Sequence, residues 1–184
     1  SLALTADCSV WSWGYGSQGR LGHGDQQAQL LPKKVEAFAG LRVVGVSAGY
    51  FHSFALTADG AVWSWGFGYH GELGHGDTQS QLLPKKVEAF AGQRVVAVSA
   101  GYTHSLALTA GGHVWSWGCG SGGQLGHGYQ QDEPLPKKMD VWASQPRTPF
   151  SSDGEGSDEG SGEGSDEGSN DEDSDDDGIP SRVA

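Results

Sequence analysis

Histidines, carboxylates, cysteines and glycine runs are the residues of this chain able to do chemistry, and each recurs or fails to recur in an informative way. His23, His75 and His127 lie in loops reading LGHGD, LGHGD and LGHGY, so Asp25 and Asp77 sit two residues on and Tyr129 takes the third place. Metal binding or acid–base work would need further ligands at coordinating spacing. No Cys or second His stands at such spacing within a unit. These histidines, with His52 and His104 before the SxALT runs, are expected to brace turns through backbone hydrogen bonds. Gly14-Tyr15-Gly16-Ser17-Gln18-Gly19 matches GxGxxG after a strand-like run, as do the runs from Gly66 and Gly118. A dinucleotide site needs a helix opening there, but RLGHGD and then Pro32 follow, so the run is expected to be a turn with several positive φ angles. No Ser/His/Asp or paired-carboxylate arrangement stands out. The chain is expected to be no enzyme and to use no cofactor or metal.

What positions these residues is a 52-residue repeat. Residues 1–52 and 53–104 match at 40 positions and differ at 12, without insertion, and a partial third copy runs over 105–143. Repeats of this length stack or radiate, because one unit cannot bury its apolar face alone. Four short strands are expected per unit, read from RVVAVSAG (94–101), HSLALTA (104–110), HVWSWG (113–118) and LLPKKVEAF (82–90), with a hairpin at Ala58-Asp59-Gly60. Four antiparallel strands in such a unit describe a β-propeller blade. The fold class is all-β: a partial propeller of about three blades.

Alternation in AVWSWG puts Ala61, Trp63 and Trp65 on one face and Val62 and Ser64 on the other. Each buried Trp contributes about 4 to 6 kcal/mol gross, so these tryptophans are expected to form the core between blades. Ser12, Ser64 and Ser116 are small enough to let the neighbouring sheet approach. Lys33-Lys34, Lys85-Lys86 and Lys137-Lys138 each follow a Pro, as on an outer edge strand that blocks further pairing.

Charge divides the chain. Residues 1–150 hold 10 basic and 10 acidic residues, whereas 151–184 hold one Arg and 13 acids. That Ser/Gly/Asp/Glu-rich tail, joined by a linker at 144–150, is expected to be disordered. It suits basic partners such as histone tails and argues against direct nucleic-acid binding. Ser152, Ser169 and Ser174 each have an acid three residues on and Thr148 precedes Pro149, so these four are candidate phosphorylation sites. Cys8 and Cys119 occupy different phases of the repeat and do not form a recurring disulfide framework, which fits a cytoplasmic or nuclear setting. No apolar run reaches membrane-spanning length.

The string SxALTADGxVWSWGxGxxGxLGHGD…LLPKKVEAFAGxRVVxVSAGYxH, over residues 1 to about 143, resembles the regulator of chromosome condensation repeat. That resemblance implies a seven-bladed propeller. It also implies the roles of such proteins: nucleotide exchange on a small GTPase, chromatin or ubiquitin-ligase scaffolding, or ultraviolet-B reception in plants. Photoreceptor members carry Trp-Arg in the turn that here reads Gly49-Tyr50-Phe51-His52, so light sensing is not expected. Exchange factors carry an inserted wedge, which the two comparable copies lack. Eleven strands are expected against about 28 for seven blades. A fragment of a longer protein, or self-association completing the ring, is therefore expected.

Differences between copies cluster after WSWG. Tyr15, Gln18 and Arg20 become Phe67, His70 and Glu72, with Tyr69 and then Gln124 in the same loops. A constant scaffold with one variable loop per unit is a common binding device. These eight residues are the candidate partner contacts. The function expected is a non-enzymatic scaffold binding other proteins through rim loops. Exchange on a Ran-like small GTPase, with chromatin association, is the alternative.

Overall fold

The structure, a computed structural model, describes residues 1–140. The tail, the linker and the phosphorylation candidates Thr148, Ser152, Ser169 and Ser174 lie outside the described residues.

Among the described residues, eleven strands form three antiparallel sheets. The first holds β1 (Leu2–Leu4), β2 (Val10–Gly14) and β3 (Gln29–Lys34). The second runs in order β4 (Val43–Ala48), β5 (His52–Thr57), β6 (Val62–Gly66) and β7 (Gln81–Lys86). The third repeats it as β8 (Val95–Ala100), β9 (His104–Thr109), β10 (Val114–Gly118) and β11 (Glu133–Lys138). Each 52-residue unit, counted from its Ser, therefore contributes strands to two sheets. The strand RVVxVSAG closes one unit in sequence and opens the next blade in space. That interleaving ties neighbouring blades covalently.

The WSWG strands are third in the four-stranded sheets, and the LPKK strands β7 and β11 are the edges, as their Pro and Lys content requires. The expected strand over 82–90 ends earlier, at Lys86. Glu88–Phe90 forms a 3-10 turn that tucks Phe90 under the next blade, with its ring centroid 5.7 Å from those of Trp115 and Trp117. Phe38 does the same one unit earlier against Trp63 and Trp65.

Both faces of the middle sheet are core. Trp65 and Ala55 pack backwards with Val10, Val35, Phe38 and Val43. Phe54, Leu56 and Val62 pack forwards with Val87, Phe90, Val95 and Trp117. In β6 and β10 the second Trp of WSWG is the deeper one: Trp65 and Trp117 are fully buried, while Trp63 and Trp115 are half-buried; in β2 Trp11 and Trp13 are both half-buried. The alternation read from the sequence thus sends the Trp face to the preceding blade and the Val/Ser face to the following one.

The GxGxxG run forms a turn. Gly14 (φ 101°) precedes and Gly19 (φ 74°) ends a single 3-10 turn at Ser17–Gly19, and no α-helix opens there.

Candidate partner-binding face

Strand direction places the β4–β5 turn (49–51) and the long β6–β7 loop (67–80) at the same end of a blade, because His52 and Gln81 both pair with Gly66. The equivalent turn of the third blade, 101–103, emerges beside them. Residues 52 apart thereby become neighbours: the rings of Tyr50 and Tyr102 meet at a 31° tilt with centroids 4.4 Å apart, and the Tyr50 N–H donates to the Gly101 carbonyl at 3.2 Å.

The rings continue from there. Phe51 meets Tyr50 edge-on at 4.4 Å, then Tyr102 at 5.9 Å and Phe67 at 5.6 Å, and Phe67 stacks with Tyr69 at 6.1 Å. Arg20 reaches in from the first blade. Its guanidinium carbon lies 4.6 Å from the Phe51 centroid and 5.2 Å from that of Tyr15, and one guanidinium nitrogen donates to the Tyr50 carbonyl at 3.0 Å. Tyr15, Tyr50, Tyr69 and Tyr102 are 56 to 70% exposed although each is large and partly apolar. A row of rings held against one another but open to solvent has lost side-chain freedom and retained its contact area. Such surfaces bind proteins well.

Of the sequence candidates, Tyr15, Arg20, Phe67 and Tyr69 belong to this face. His70 lies at its margin, 5.3 Å from Tyr69, with its Nδ1 2.9 Å from the Asp132 carboxylate. Gln18 is half-buried at positive φ, and its N–H donates to the Gln26 side chain. Gln124 is exposed but spends its side-chain oxygen accepting from the Gly122 N–H at 2.7 Å.

Glu72 must be withdrawn as a partner contact, because its side chain is fully buried under the third blade. One carboxylate oxygen accepts from the His70 N–H at 2.8 Å and the other has no partner among the described residues, and burial raises the carboxyl above its ordinary value. Sequence reasoning also missed Tyr50, Phe51 and Tyr102 as contacts. Their signal was the Tyr shared by both GYxH turns, legible as a cluster only once the blades were known to stand side by side.

The repeated histidines do something other than bond backbone. The Ser64 hydroxyl donates its only proton to the Leu73 carbonyl at 2.7 Å, so His75 Nε2, 3.0 Å away, must be the donor to that hydroxyl. The same pair of bonds recurs at Ser12, Leu21 and His23, and at Ser116, Leu125 and His127. Ser12, Ser64 and Ser116 therefore do more than leave room: their hydroxyls fasten the LGHG loop. Burial and the nearby Lys85 lower His75 to about 4, so it is neutral with its Nε2 proton committed. A nitrogen so used is no base and no metal ligand.

His52 follows the same logic between blades. Its Nε2 lies 3.0 Å from the Ser105 hydroxyl, which itself donates to the Glu72 carbonyl at 2.8 Å. Among the described residues no helix is long and apolar enough to cross a membrane.

Comparison with known proteins matches this arrangement. The model of the regulator of chromosome condensation (RCC1) repeat matches residues 7–56, 59–108 and 111–150. The ultraviolet-B receptor UVR8 of Arabidopsis thaliana is 38% identical over 140 residues, covering 76% of this chain and 32% of the receptor. Human E3 ubiquitin-protein ligase HERC2 is 44% identical over 141 residues, covering 76% of this chain and 3% of the ligase. Among solved structures, Prp20p of Saccharomyces cerevisiae superposes with a TM-score of 0.69 at 27% identity, over 78% of this chain and 36% of Prp20p. Human WBSCR16 gives 0.67 at 30% identity, over 75% and 35%. The chain spans about a third or less of the length of these proteins.

Proposed function

We propose that this chain, which belongs to the regulator of chromosome condensation (RCC1) repeat family, is a non-enzymatic interaction segment of a β-propeller that captures a protein partner on its aromatic face. The observation that carries the reading is the continuous row Tyr15, Arg20, Phe51, Tyr50 and Tyr102, extended by Phe67 and Tyr69. Tyr and Arg dominate interface energetics, and here they are ordered before any partner arrives. Prp20p, similar in fold, is described as binding Gsp1p and histones, which supports a protein, not a small molecule, as the occupant. Cys8 and Cys119 are both free, in keeping with a cytoplasmic or nuclear setting. HERC2 is a ligase, but the chain matches 3% of it, so ligase chemistry is not carried over.

The test is capture by the full chain against capture by a Tyr50→Ser/Tyr102→Ser variant. The variant is expected to lose at least about tenfold in partner recovery with its melting temperature within a few degrees of wild type, since both rings are mostly exposed. Undiminished recovery would reject the aromatic face.

Nucleotide exchange on a small GTPase is the second reading, favoured by the fold shared with Prp20p. The first two copies of the repeat carry no insertion that could act as a wedge. Release of labelled GDP decides between the readings: acceleration by the chain favours exchange, and capture without acceleration favours the scaffold.

A further inference from the structure

His70, Cys119 and Asp132 bring one imidazole nitrogen, one thiol sulfur and one carboxylate oxygen within 4.8 Å of one another, at the seam between the second and third blades. The repeat itself singles them out. At the phase of His70 the other copies carry Gln18 and Gly122, at that of Cys119 they carry Tyr15 and Phe67, and at that of Asp132 they carry Ala28 and Ser80. Three departures at three phases, drawn from two copies, thus converge on one point in space. Each of them replaces a poor metal ligand, or none, by a good one.

The surroundings orient these groups. Asp132 turns one oxygen to the Gly120 N–H at 2.9 Å and the other to His70 Nδ1 at 2.9 Å. The His70 main-chain N–H is held by Glu72. The Cys119 sulfur is buried and 3.3 Å from the Ser121 hydroxyl, while His70 and Asp132 keep the approach from solvent open. Outer bonds of this kind fix ligands for a metal.

We propose that His70, Cys119 and Asp132 form a zinc-binding site that clamps the β6–β7 loop of the second blade to the third. Thiolate, imidazole and carboxylate together select a borderline cation such as Zn²⁺, and three protein ligands leave a fourth, tetrahedral position for water. With bonds of about 2.0 to 2.3 Å, neighbouring ligand atoms of such a site stand roughly 3.6 Å apart. His70 and Asp132, 2.9 Å apart, need to part slightly, a movement within reach of side-chain rotation. On binding, the Cys119 thiol gives its proton to solvent and the sulfur takes up the metal bond, with no change of oxidation state. The site stands independently of the aromatic-face reading.

The test titrates the full 184-residue chain, reduced, with Co²⁺ and then Zn²⁺. Expected are visible d–d absorption of a tetrahedral site and a near-ultraviolet sulfur-to-cobalt band, both bleached by Zn²⁺, with a rise in melting temperature under Zn²⁺. The substitutions Cys119→Phe, His70→Gln and Asp132→Ser each install the residue another copy already carries at that phase, so they are compatible with the fold. Cys119→Phe should abolish the sulfur band, and the other two should weaken Co²⁺ binding at least about tenfold. Cys8→Ser should change nothing. Carboxylates of the acidic tail can bind Co²⁺ but give no sulfur band. Absence of that band in the wild type, its survival in Cys119→Phe, or full affinity in both other variants overturns the site and leaves a His70–Asp132 hydrogen bond only.

Discussion

Trp65 donates its indole N–H to the main-chain carbonyl of Arg20, 3.0 Å away in the preceding blade. Ser53 donates to the same carbonyl at 3.0 Å, and one unit later Trp117 and Ser105 both reach the Glu72 carbonyl at 2.8 Å. The residue at this phase therefore has two separable roles, a backbone latch and a side chain turned to another use. Trp65→Phe should keep most of the packing and lose the bond, costing about 1 to 2 kcal/mol. Trp65→Ala should cost about 3 to 5 kcal/mol. Arg20→Ala leaves the carbonyl in place, so urea unfolding should move by no more than about 1 kcal/mol while partner capture falls. A large stability loss in Arg20→Ala would show that the guanidinium is structural.

Close approach of blades makes one glycine in each of the first two LGHG loops, Gly22 and Gly74, far more demanding than its φ angle implies. Gly22 (φ +78°) and Gly40 (φ +80°) share a left-handed backbone, but a Cβ on Gly22 would lie 2.9 Å from the Trp65 indole nitrogen, whereas one on Gly40 would meet nothing within 4 Å. Gly40→Ala should cost about 1 to 2 kcal/mol, the conformational strain alone. Gly22→Ala must also displace a buried indole that bonds the preceding blade, adding about 1 to 3 kcal/mol. Equal melting temperatures for the two variants would mean that the Trp65 ring yields freely.

Acid should loosen the seam between the second and third blades. His52 is buried, and desolvation, with His104 adding to it, lowers it to about 4. Because the unfolded chain binds this proton near pH 6.5 and the folded chain only near pH 4, the unfolded state holds more protons between those values. Stability from this group is present above about pH 6.5 and is lost as pH falls to about 4, by about 3 kcal/mol. His52→Gln keeps a donor toward Ser105 and should flatten that stretch of the curve, as read by urea unfolding at fixed pH values. An unchanged slope would place the acid sensitivity elsewhere.

Much of this architecture is legible in the sequence because its signals are local. WSWG alternates, Pro and Lys mark an edge strand, and the hairpin at Asp59 closes as its residues demand, with Gly60 N–H bonded to the Thr57 carbonyl at 2.8 Å. What the sequence leaves hidden lies between copies. Tyr50 and Tyr102 are separated by one whole repeat, and only lateral stacking of blades turns the same phase into a contact. Glu72 looks exposed beside Arg20 and Gln124 because charge and loop position suggest it, yet the third blade covers it. The Ser–His pairing is 11 residues apart and carries no motif of its own. A repeat reveals its blade well and its seams poorly, and the candidate sites of this chain are at the seams.

Glu72 provides a prediction of opposite sign to His52. Desolvation raises its carboxyl, so the folded chain holds this proton to higher pH than the unfolded chain does. Its contribution is therefore fully present below about pH 4.5 and is lost as pH rises through the folded value. Gln124 shows the neutral alternative at the same phase, capping the Gly122 N–H with its amide oxygen as Glu72 caps His70. Glu72→Gln keeps that cap, keeps the main-chain carbonyl used by Trp117 and Ser105, and removes a buried charge with an unpartnered oxygen. The variant should be more stable than wild type at pH 8, by about 1 to 3 kcal/mol, and the gap should close toward pH 4.5. Urea unfolding of both proteins across that range checks it. Lower stability of the variant at pH 8 would mean that the ionised carboxylate is compensated where it lies, and burial would then not be what governs it.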